Sequence, residues 1–367
     1  MGLKPTHRPD YLIIFCVFSL VIFGLIMLAS ASSHLGKTRF DDSYYYLRHQ
    51  IIFGLSFGIA GFLAAYKICY RYYEKIAIFL LILGVVSLIL VFTPLGFNAG
   101  GADRWLKIWP LTFQPSEILK IIFIIYLAAW LGNSLERQKK LWQGFVPFLI
   151  VLGAVSMLLL KQPATSTAAI LIFVALIVYF VSGAKLTYIF GALLLAALGL
   201  LLIIYLTPYR WSRILTYISP DTDLQTTGYH INQALIAIGS GGLFGVGYGQ
   251  STTKIHYLPE PVGDSIFAVI AEELGFIGAI GLIAVLILLT VKTVLLSRKI
   301  NDRFGQLLLV GFASLIATQS LVNIGAISGL LPLTGTPLPF ISYGGTALAV
   351  FMTIGGIIAN ISKYARW

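Results

Sequence analysis

Charged side chains beside long apolar segments are the residues of this sequence whose types and positions suggest chemistry. Asp264 follows Leu258-Pro259-Glu260-Pro261 and immediately precedes a long apolar run. A carboxylate at that boundary can cap the start of a helix, or it can stay accessible to a substrate as a base. Its position alone does not decide between these roles, and Glu260 has the weaker functional case of the two acids.

A second group of charged side chains lies inside apolar segments. Glu117 and Lys120 are close enough in sequence to pair on one helix face. Because ion pairs at membrane depth are costly, the pair is predicted either to belong to a functional cavity or to fix helix packing. Glu272 and Glu273 lie about two helical turns beyond Asp264 without a partner nearby in sequence. We expect at least one of them to face a polar cavity.

The elements that must position these residues are membrane-spanning helices. The chain has 367 residues, of which 58% are hydrophobic and 11% are charged, and its mean hydropathy is +0.90. This composition is too apolar for a soluble domain. Since a helix of about 20 apolar residues crosses a bilayer, we predict an all-α polytopic membrane protein of about ten helices. The predicted spans are 11–31, 47–66, 76–95, 114–133, 145–161, 166–183, 187–206, 265–291, 306–329 and 342–362.

The basic residues between the spans predict the topology. Lys and Arg recur in alternate connections and at both ends of the chain, and the positive-inside rule places them in the cytoplasm. They include Lys4, Arg8, Lys67, Arg71, Lys75, Arg137, Lys139, Lys140, Lys185, Arg298, Lys299, Arg303, Lys363 and Arg366. Both termini are therefore predicted to be cytoplasmic.

Four basic residues fall on the predicted outer face, against this tendency: Arg104, Lys107, Arg210 and Arg213. A guanidinium group binds phosphate oxygens in a bidentate manner, so a phosphate-bearing substrate is one explanation. Attraction to anionic lipid headgroups is the other.

The remaining composition excludes several classes of partner. Much of the net charge of +11 is a topology signal rather than a basic patch on a soluble fold, so no nucleic-acid partner is predicted. His230 and His256 do not have the spacing of a metal site, and we predict no structural metal. Cys16 and Cys69 are too few for a disulfide framework.

One membrane domain over 1–367 is the predicted organisation, with a large structured outer loop at 207–264 between the seventh and eighth spans. This loop is rich in glycine and contains an amphipathic segment from Tyr229 to Ile238, which predicts short interfacial helices folded back into the mouth of the bundle. The outer segments 96–116 and 328–346 are also informative, because long loops without obvious strands are more often functional than decorative.

Several motifs occur in one order along most of the chain. They are Gly101-Ala102-Asp103-Arg104-Trp105-Leu106, Gln114-Pro115-Ser116-Glu117 with Lys120, Gly228-Tyr229-His230, Ala237-Ile238-Gly239-Ser240-Gly241-Gly242-Leu243, Leu258-Pro259-Glu260 with Asp264, Ala271-Glu272-Glu273-Leu274-Gly275, and Pro337-Leu338-Pro339 with Ile341-Ser342-Tyr343-Gly344-Gly345. Together they resemble the SEDS (shape, elongation, division and sporulation) family, which includes FtsW, RodA and SpoVE. The segment from Gly247 to Lys254 is more similar to the FtsW branch than to the RodA branch.

This resemblance implies a peptidoglycan glycosyltransferase at the outer face of the bacterial cytoplasmic membrane. Its substrate would be lipid II, an undecaprenyl-pyrophosphate-linked disaccharide peptide, and its usual partner a class B penicillin-binding protein. Asp264 matches the family's catalytic aspartate, while Arg104, Glu117 and Lys120 match functionally sensitive cavity positions. The predicted substrate-binding residues are Arg104, Lys107, Arg210, Arg213, Glu260 and Ser342.

Two positions depart from the family pattern. After Gln162-Pro163 the family commonly has an acidic residue, and this chain has Ala164. Where Thr-Asp-Phe is usual, the chain reads Gly263-Asp264-Ser265, which changes the wall beside the predicted base but keeps the carboxylate.

Polymerisation of an α-linked donor into a β-linked glycan is an inversion, so one displacement is sufficient. We expect Asp264 to accept the proton of the incoming hydroxyl. Arg104, Arg210 and Lys107 are expected to stabilise the departing pyrophosphate. No cofactor is required by this scheme, and help from a divalent cation, Mg²⁺ or Mn²⁺, is left open.

Two other functions fit the same residues. A lipid II flippase could line a translocation path with Glu117, Lys120 and Glu272, and a scaffold could position a transpeptidase without activity of its own. The candidate residues crowd the outer half of the protein, which favours surface chemistry. The sequence does not decide between division and elongation, identify the transpeptidase partner, or show whether the chain is active alone.

Overall fold

The computed structural model describes residues 7–99, 102–108, 111–134, 136–218 and 227–366. Nine helices in these ranges are long and apolar enough to cross a membrane, and the apolar helix Thr165–Val181 is slightly shorter. The α-helices are α1 (Tyr11–Phe40), α2 (Tyr45–His49), α3 (Ser56–Lys67), α4 (Arg71–Leu90), α5 (Pro115–Gly132), α6 (Val146–Lys161), α7 (Thr165–Val181), α8 (Leu186–Leu206), α9 (Pro208–Ile218), α10 (Thr227–Ser240), α11 (Thr253–His256), α12 (Ile266–Ser297), α13 (Arg303–Ile327) and α14 (Gly345–Ser362). The prediction of an all-α polytopic protein is confirmed.

Helix boundaries follow local capping more closely than hydropathy. Asp10 caps α1 by accepting hydrogen bonds from the amides of Leu12 and Ile13. The helix continues nine residues past the predicted end at residue 31 and stops at Asp41, which adopts a left-handed conformation. A π-helical turn, Gln50–Leu55, joins α2 to α3 within one span.

The centre of the bundle contains α5, α13, α14 and the first part of α12. Most of α5 and α14 is buried, whereas α8 is almost entirely exposed. Helices α3 and α14 pack closely because glycine leaves room for the opposite helix: a Cβ on Gly356 would overlap the carbonyl of Phe62. Close approach at small residues is typical of helix pairs in membranes, where lipid removes most of the hydrophobic driving force.

A small antiparallel sheet lies between α4 and α5, in a segment for which the sequence predicted no strands. Its strands are β1 (Gly96–Ala99), β2 (Ala102–Ile108) and β3 (Leu111–Phe113), with β2 in the middle. Phe97 pairs with Trp105 and Leu106 with Phe113. The sheet carries Arg104 and Lys107 on its central strand.

Helix α12 is broken at Gly275, where the backbone has φ of 67° and ψ of −167°. In an unbroken helix, the amides of residues 276 and 277 would donate to the carbonyls of residues 272 and 273, and the break removes these two hydrogen bonds. Segment 241–247 replaces them, because Val246 and Gly247 donate to the carbonyls of Glu272 and Glu273 at 2.9 and 3.1 Å. In return, the amides of Phe276 and Ile277 donate to the carbonyls of Gly242 and Leu243 at 2.9 and 3.2 Å. The broken helix therefore leaves none of these four groups unpaired, as a membrane-embedded backbone requires.

Gly275 is predicted to be indispensable for this break. Gly275→Ala should lower the free energy of unfolding by at least about 2 kcal/mol, because a side chain at positive φ is strained and its Cβ would overlap the amide nitrogen of Gly245. Thermal melting of the purified protein in detergent measures the loss.

Gly281 provides the control on the same helix, because a Cβ there meets nothing within 4 Å. Gly281→Ala should leave the melting temperature unchanged or slightly raised. Equal losses in the two variants would contradict the role assigned to the break.

Candidate active site

Asp264 lies on a tight turn that leads into α12. The carbonyl of Glu260, a residue with φ of 46°, accepts hydrogen bonds from the amides of Gly263 and Ser265 at 3.1 and 3.3 Å. The carbonyl of Val262 accepts from the amide of Tyr343 at 2.9 Å. The turn is thereby closed on one side and attached to the 328–344 loop on the other.

The Asp264 carboxylate is partly buried, and its Oδ1 atom has no hydrogen-bond partner among the described residues. Burial raises the pKa of Asp264 to about 7, and the nearby Glu260 carboxylate adds to the rise. The Arg213 guanidinium and local backbone amides act in the opposite direction. Asp264 is therefore a carboxyl group that exchanges its proton near neutral pH.

Ser265, one of the departures from the family pattern, connects this turn to α10. Its hydroxyl donates to the carbonyl of Pro259 at 2.8 Å and lies 2.6 Å from Nε2 of His230. Since the hydroxyl proton is used on Pro259, His230 must donate from Nε2. Burial, with a further contribution from Arg213, lowers the pKa of His230 to about 4, so the ring is neutral when Asp264 titrates.

The 328–344 loop lies beside Asp264. A Cβ on Gly335 would lie 4.0 Å from Oδ2 of Asp264. From α9, Arg213 donates to the carbonyl of Leu333 at 3.3 Å and Tyr217 to that of Leu330 at 2.9 Å. The loop therefore connects α9 to the predicted base.

Ser342 and Glu260 lie on the two segments of this site. The Ser342 hydroxyl is buried and accepts from the amide of Leu338 at 2.8 Å, which holds a turn of the loop. Gln50 binds the same end of the loop through the carbonyl of Ser342 and the amide of Gly344. Glu260 is exposed. Contact of either residue with a substrate stays a prediction.

Arg104 and Arg210 approach the end of α6 from two different elements. Arg104, on β2, donates to the carbonyls of Gln162 at 3.1 Å and Pro163 at 2.7 Å. Arg210, on α9, donates to the carbonyl of Leu160 at 2.8 Å. Both guanidinium groups thus lie at the negative end of a helix dipole. Lys107 is exposed, with its ammonium group 5.8 Å from the Phe97 ring centre.

Glu117 and Lys120 form the predicted pair, with 2.8 Å between the carboxylate and the ammonium group and almost no exposure. Lys120 also donates to Oε1 of Gln319 on α13 at 2.7 Å. The pair is buried in the bundle rather than placed beside Asp264.

Glu272 and Glu273 do not face a polar cavity, and that expectation was wrong. Both carboxylates are buried and bind the returning segment 251–254. Glu272 accepts from the hydroxyls of Ser251 and Thr253 and from the amides of residues 252 and 253. The segment that leads to Asp264 is therefore fixed to α12 by the carboxylate.

Lys254 pairs with Glu273 at 2.5 Å, and Ser30 of α1 binds both side chains. The third ammonium proton of Lys254 is donated to the carbonyl of Gly249 at 3.2 Å. The buried ion pair is fully hydrogen-bonded, as burial of charge requires. Its partners come from three distant parts of the chain, which is why the sequence did not predict them.

An apolar cavity of about 740 Å³ lies beside the same loop. Tyr343 and Gly344 line one side of it, so the loop that lies beside Asp264 also borders the cavity. Other lining residues come from the π-helical turn, α3, the sheet, α5 and α14, and include Phe53, Phe57, Trp105, Phe113, Ile121 and Val350.

The structure therefore brings Asp264, Glu260 and Arg213 together and places Arg104 and Arg210 at the end of α6. Gln319 and Asn323, which bind the site from α13, were not selected from the sequence. Two amide residues four positions apart in an apolar span were the available signal. Within the described ranges, no group of three or more His, Cys, Asp or Glu residues could hold a metal ion.

Removing one partner of the buried Lys254–Glu273 pair is predicted to be more harmful than removing both charges. Lys254→Met should destabilise the protein by about 3–5 kcal/mol, because Glu273 would remain buried without its counter-ion. Adding Glu273→Gln should recover part of this loss. Thermal melting of the single and double variants tests the coupling, and strictly additive losses would contradict it.

Comparison with known proteins relates this geometry to a family. The sequence profile of the FtsW/RodA/SpoVE family, described as a cell cycle protein, matches residues 10–367. A probable peptidoglycan glycosyltransferase FtsW from Geobacter metallireducens is 37% identical over 363 residues, which cover 99% of this chain and 96% of that protein. Stage V sporulation protein E from Bacillus subtilis is 33% identical over the full length of both chains.

Two solved structures share the fold. A chain of a peptidoglycan synthase complex that coordinates polymerisation and crosslinking superposes with a TM-score of 0.80 at 26% identity, covering 96% of this chain and 97% of that chain. The rod shape determining protein RodA from Thermus thermophilus superposes with a TM-score of 0.71 at 26% identity, covering 98% of each chain. With the family profile matching nearly its whole length, this multi-pass membrane protein belongs to the FtsW/RodA/SpoVE family.

Proposed function

We propose that this chain is a peptidoglycan glycosyltransferase, which polymerises lipid II into glycan strands at the outer face of the bacterial cytoplasmic membrane. The observation that carries the proposal is the state of Asp264. Its carboxylate is partly buried, keeps one oxygen without a partner among the described residues, and has a pKa of about 7. Such a group is suited to accept a proton from a sugar hydroxyl near neutral pH.

The reaction joins a hydroxyl of one lipid-linked sugar to the anomeric carbon of another. The acceptor oxygen forms the new glycosidic bond while its proton passes to Asp264. The bond between the anomeric carbon and the pyrophosphate oxygen breaks, and its electron pair leaves with the pyrophosphate. An α-linked donor then gives a β-linked product in one inverting displacement. Because pyrophosphate is a good leaving group, a second carboxylate acting as a general acid is not needed.

Positive charge beside the leaving group is the second requirement. Arg104 and Arg210 converge on the end of α6, and Arg213 acts electrostatically on Asp264. We assign these arginines, with Lys107 from β2, to the pyrophosphate of the donor. Glu260 and Ser342 complete the proposed substrate-binding set.

A divalent cation, Mg²⁺ or Mn²⁺, fits this arrangement as a companion of the substrate. Pyrophosphate oxygens and water would be its ligands, because Oδ1 of Asp264 is buried. The proton transfer to Asp264 does not depend on the cation.

The lipid tail and the protein partner have separate places in this proposal. The apolar cavity beside Tyr343 has the lining that a polyprenyl chain requires. The amide of Tyr343 binds the carbonyl of Val262, two residues before Asp264. Similarity to a chain of a peptidoglycan synthase complex supports a class B penicillin-binding protein as the partner. The cytoplasmic clusters of Lys and Arg support an outward-facing site.

Replacing the proposed base tests the function directly. Asp264→Asn should lower the rate of glycan synthesis at least about 100-fold, because the amide cannot accept the acceptor proton. Purified protein in liposomes with labelled lipid II, with and without the penicillin-binding protein, provides the measurement.

Asp41→Asn is the matched control, because Asp41 is an exposed residue in a left-handed conformation that Asn tolerates. Full polymerisation by the Asp264 variant would remove Asp264 from the chemistry. Movement of lipid II between leaflets without polymer would indicate a flippase, and neither activity in the presence of the partner would indicate a scaffold.

The pH dependence follows from the raised pKa of Asp264. A base works when deprotonated, so the rate should rise about tenfold from about pH 6 to about pH 8, with a midpoint near 7. Glu260 and Arg213 are the charged groups that act on this carboxylate, and the nearby His230 is neutral over the range. Glu260→Gln should lower the midpoint because it removes a negative charge. A profile that stays flat through neutral pH would contradict the assignment.

A further inference from the structure

Two buried amide side chains on α13, Gln319 and Asn323, connect the Asp264 turn to the centre of the bundle. They are one helical turn apart, and both are 0% exposed. Neither takes part in the reaction as derived above. Buried amides in an apolar helix are costly unless their hydrogen bonds are used, so their partners indicate what they do.

Asn323 holds two segments of the site with one amide group. Its Nδ2 donates to the carbonyl of Asp264 at 2.9 Å and to the carbonyl of Thr336 at 2.8 Å. Both partners can only accept, so the orientation of the amide is fixed and both of its protons are used. The backbone of Asp264 is thereby attached to the 328–344 loop at the position that follows Gly335.

Gln319 continues this connection towards α5. Its Nε2 donates to the carbonyl of Pro337 at 2.8 Å, and its Oε1 accepts from the ammonium group of Lys120 at 2.7 Å. Lys120 is in turn paired with Glu117 at 2.8 Å. The ion pair in α5 is therefore linked through one side chain to residue 337, next to the residue that Asn323 binds.

These bonds fix the backbone of Asp264 and the loop beside it, and the backbone carries the carboxylate. Oδ2 of the carboxylate lies near Gly335, 4.0 Å from where a Cβ of that residue would stand. Residues 336 and 337, which follow Gly335, cannot shift without breaking a bond to α13. A base must be within hydrogen-bond reach of the proton it removes, and a displacement of about 1 Å can cost 100-fold in rate. Bonds that fix the carboxylate against the loop are thus expected to affect the rate.

We propose that Gln319 and Asn323 are positioning residues, which hold the Asp264 carboxylate against loop 334–337 at the place where the acceptor hydroxyl is deprotonated. The Glu117–Lys120 pair has the same role through Gln319, because Lys120 orients the Gln319 amide that binds the carbonyl of Pro337. This inference rests on the proposed function of Asp264 as the base.

The test separates positioning from ordinary packing by comparing kcat with KM. Asn323→Leu keeps the volume of the side chain but donates to neither carbonyl. It should lower kcat for glycan synthesis about 10- to 100-fold while KM for lipid II stays within about threefold, after correction for the folded fraction. Gln319→Met should likewise lower kcat and leave KM nearly unchanged. It replaces Asn323→Leu in the test if that variant does not insert into the membrane or fold.

Ser320 on α13 provides the matched control. Its hydroxyl is buried without a hydrogen-bond partner among the described residues, so Ser320→Ala should leave kcat unchanged. A kcat of the Asn323 and Gln319 variants within about twofold of the unmodified chain would overturn the inference. A loss that appears only in the folded fraction or in KM would overturn it as well.

A second measurement does not depend on activity. In a chain carrying Asp264→Cys, the thiol stands at the position of the carboxylate, and its reaction rate with a membrane-impermeant maleimide reports how well that position is held. Adding Asn323→Leu should raise this rate several-fold, while adding Ser320→Ala should not. An unchanged rate overturns the positioning role. If the unmodified chain makes no glycan but the rate still rises, the proposed function fails and the positioning of residue 264 stands.

Discussion

The whole outer end of the molecule depends on the requirement that a backbone inside a membrane must pair all of its polar groups. Helix α12 is broken at Gly275, and such a break is tolerated only because segment 241–247 supplies the missing donors and acceptors. This exchange fixes the glycine-rich segment against α12. It also brings the chain back towards the start of the helix, so that residues 251–264 run beside it.

The returning segment is then held by charge. Glu272 binds residues 251–253. Glu273 pairs with Lys254, and the side chains of this pair both contact Ser30 of α1. Two carboxylates that would be costly alone become stable because every oxygen has a donor. The segment between this anchor and α12 is short, so the position of Asp264 is restricted before any substrate binds.

The sequence predicted the helices well because long apolar segments are required to cross lipid. It missed the sheet of β1, β2 and β3, because β1 and β3 have only four and three residues and β2 shows no clear alternation of apolar and polar residues. Asp264 was selected as the candidate base from its position and from the family resemblance, and that role stays a prediction. The partners of Glu273 and the roles of Gln319 and Asn323 could not be identified, because these contacts join residues remote in sequence. Contacts of this kind follow from helix packing, which a single sequence does not record.

At the two positions that depart from the family pattern, the nearby polar groups also have hydrogen-bond partners. Without an acidic residue at Ala164, Arg104 binds the carbonyls of Gln162 and Pro163. At Ser265, the added hydroxyl is matched by the carbonyl of Pro259 and the ring of His230. In both places a neutral group accepts the hydrogen bond, so neither departure adds a charge that competes with Asp264 for a proton.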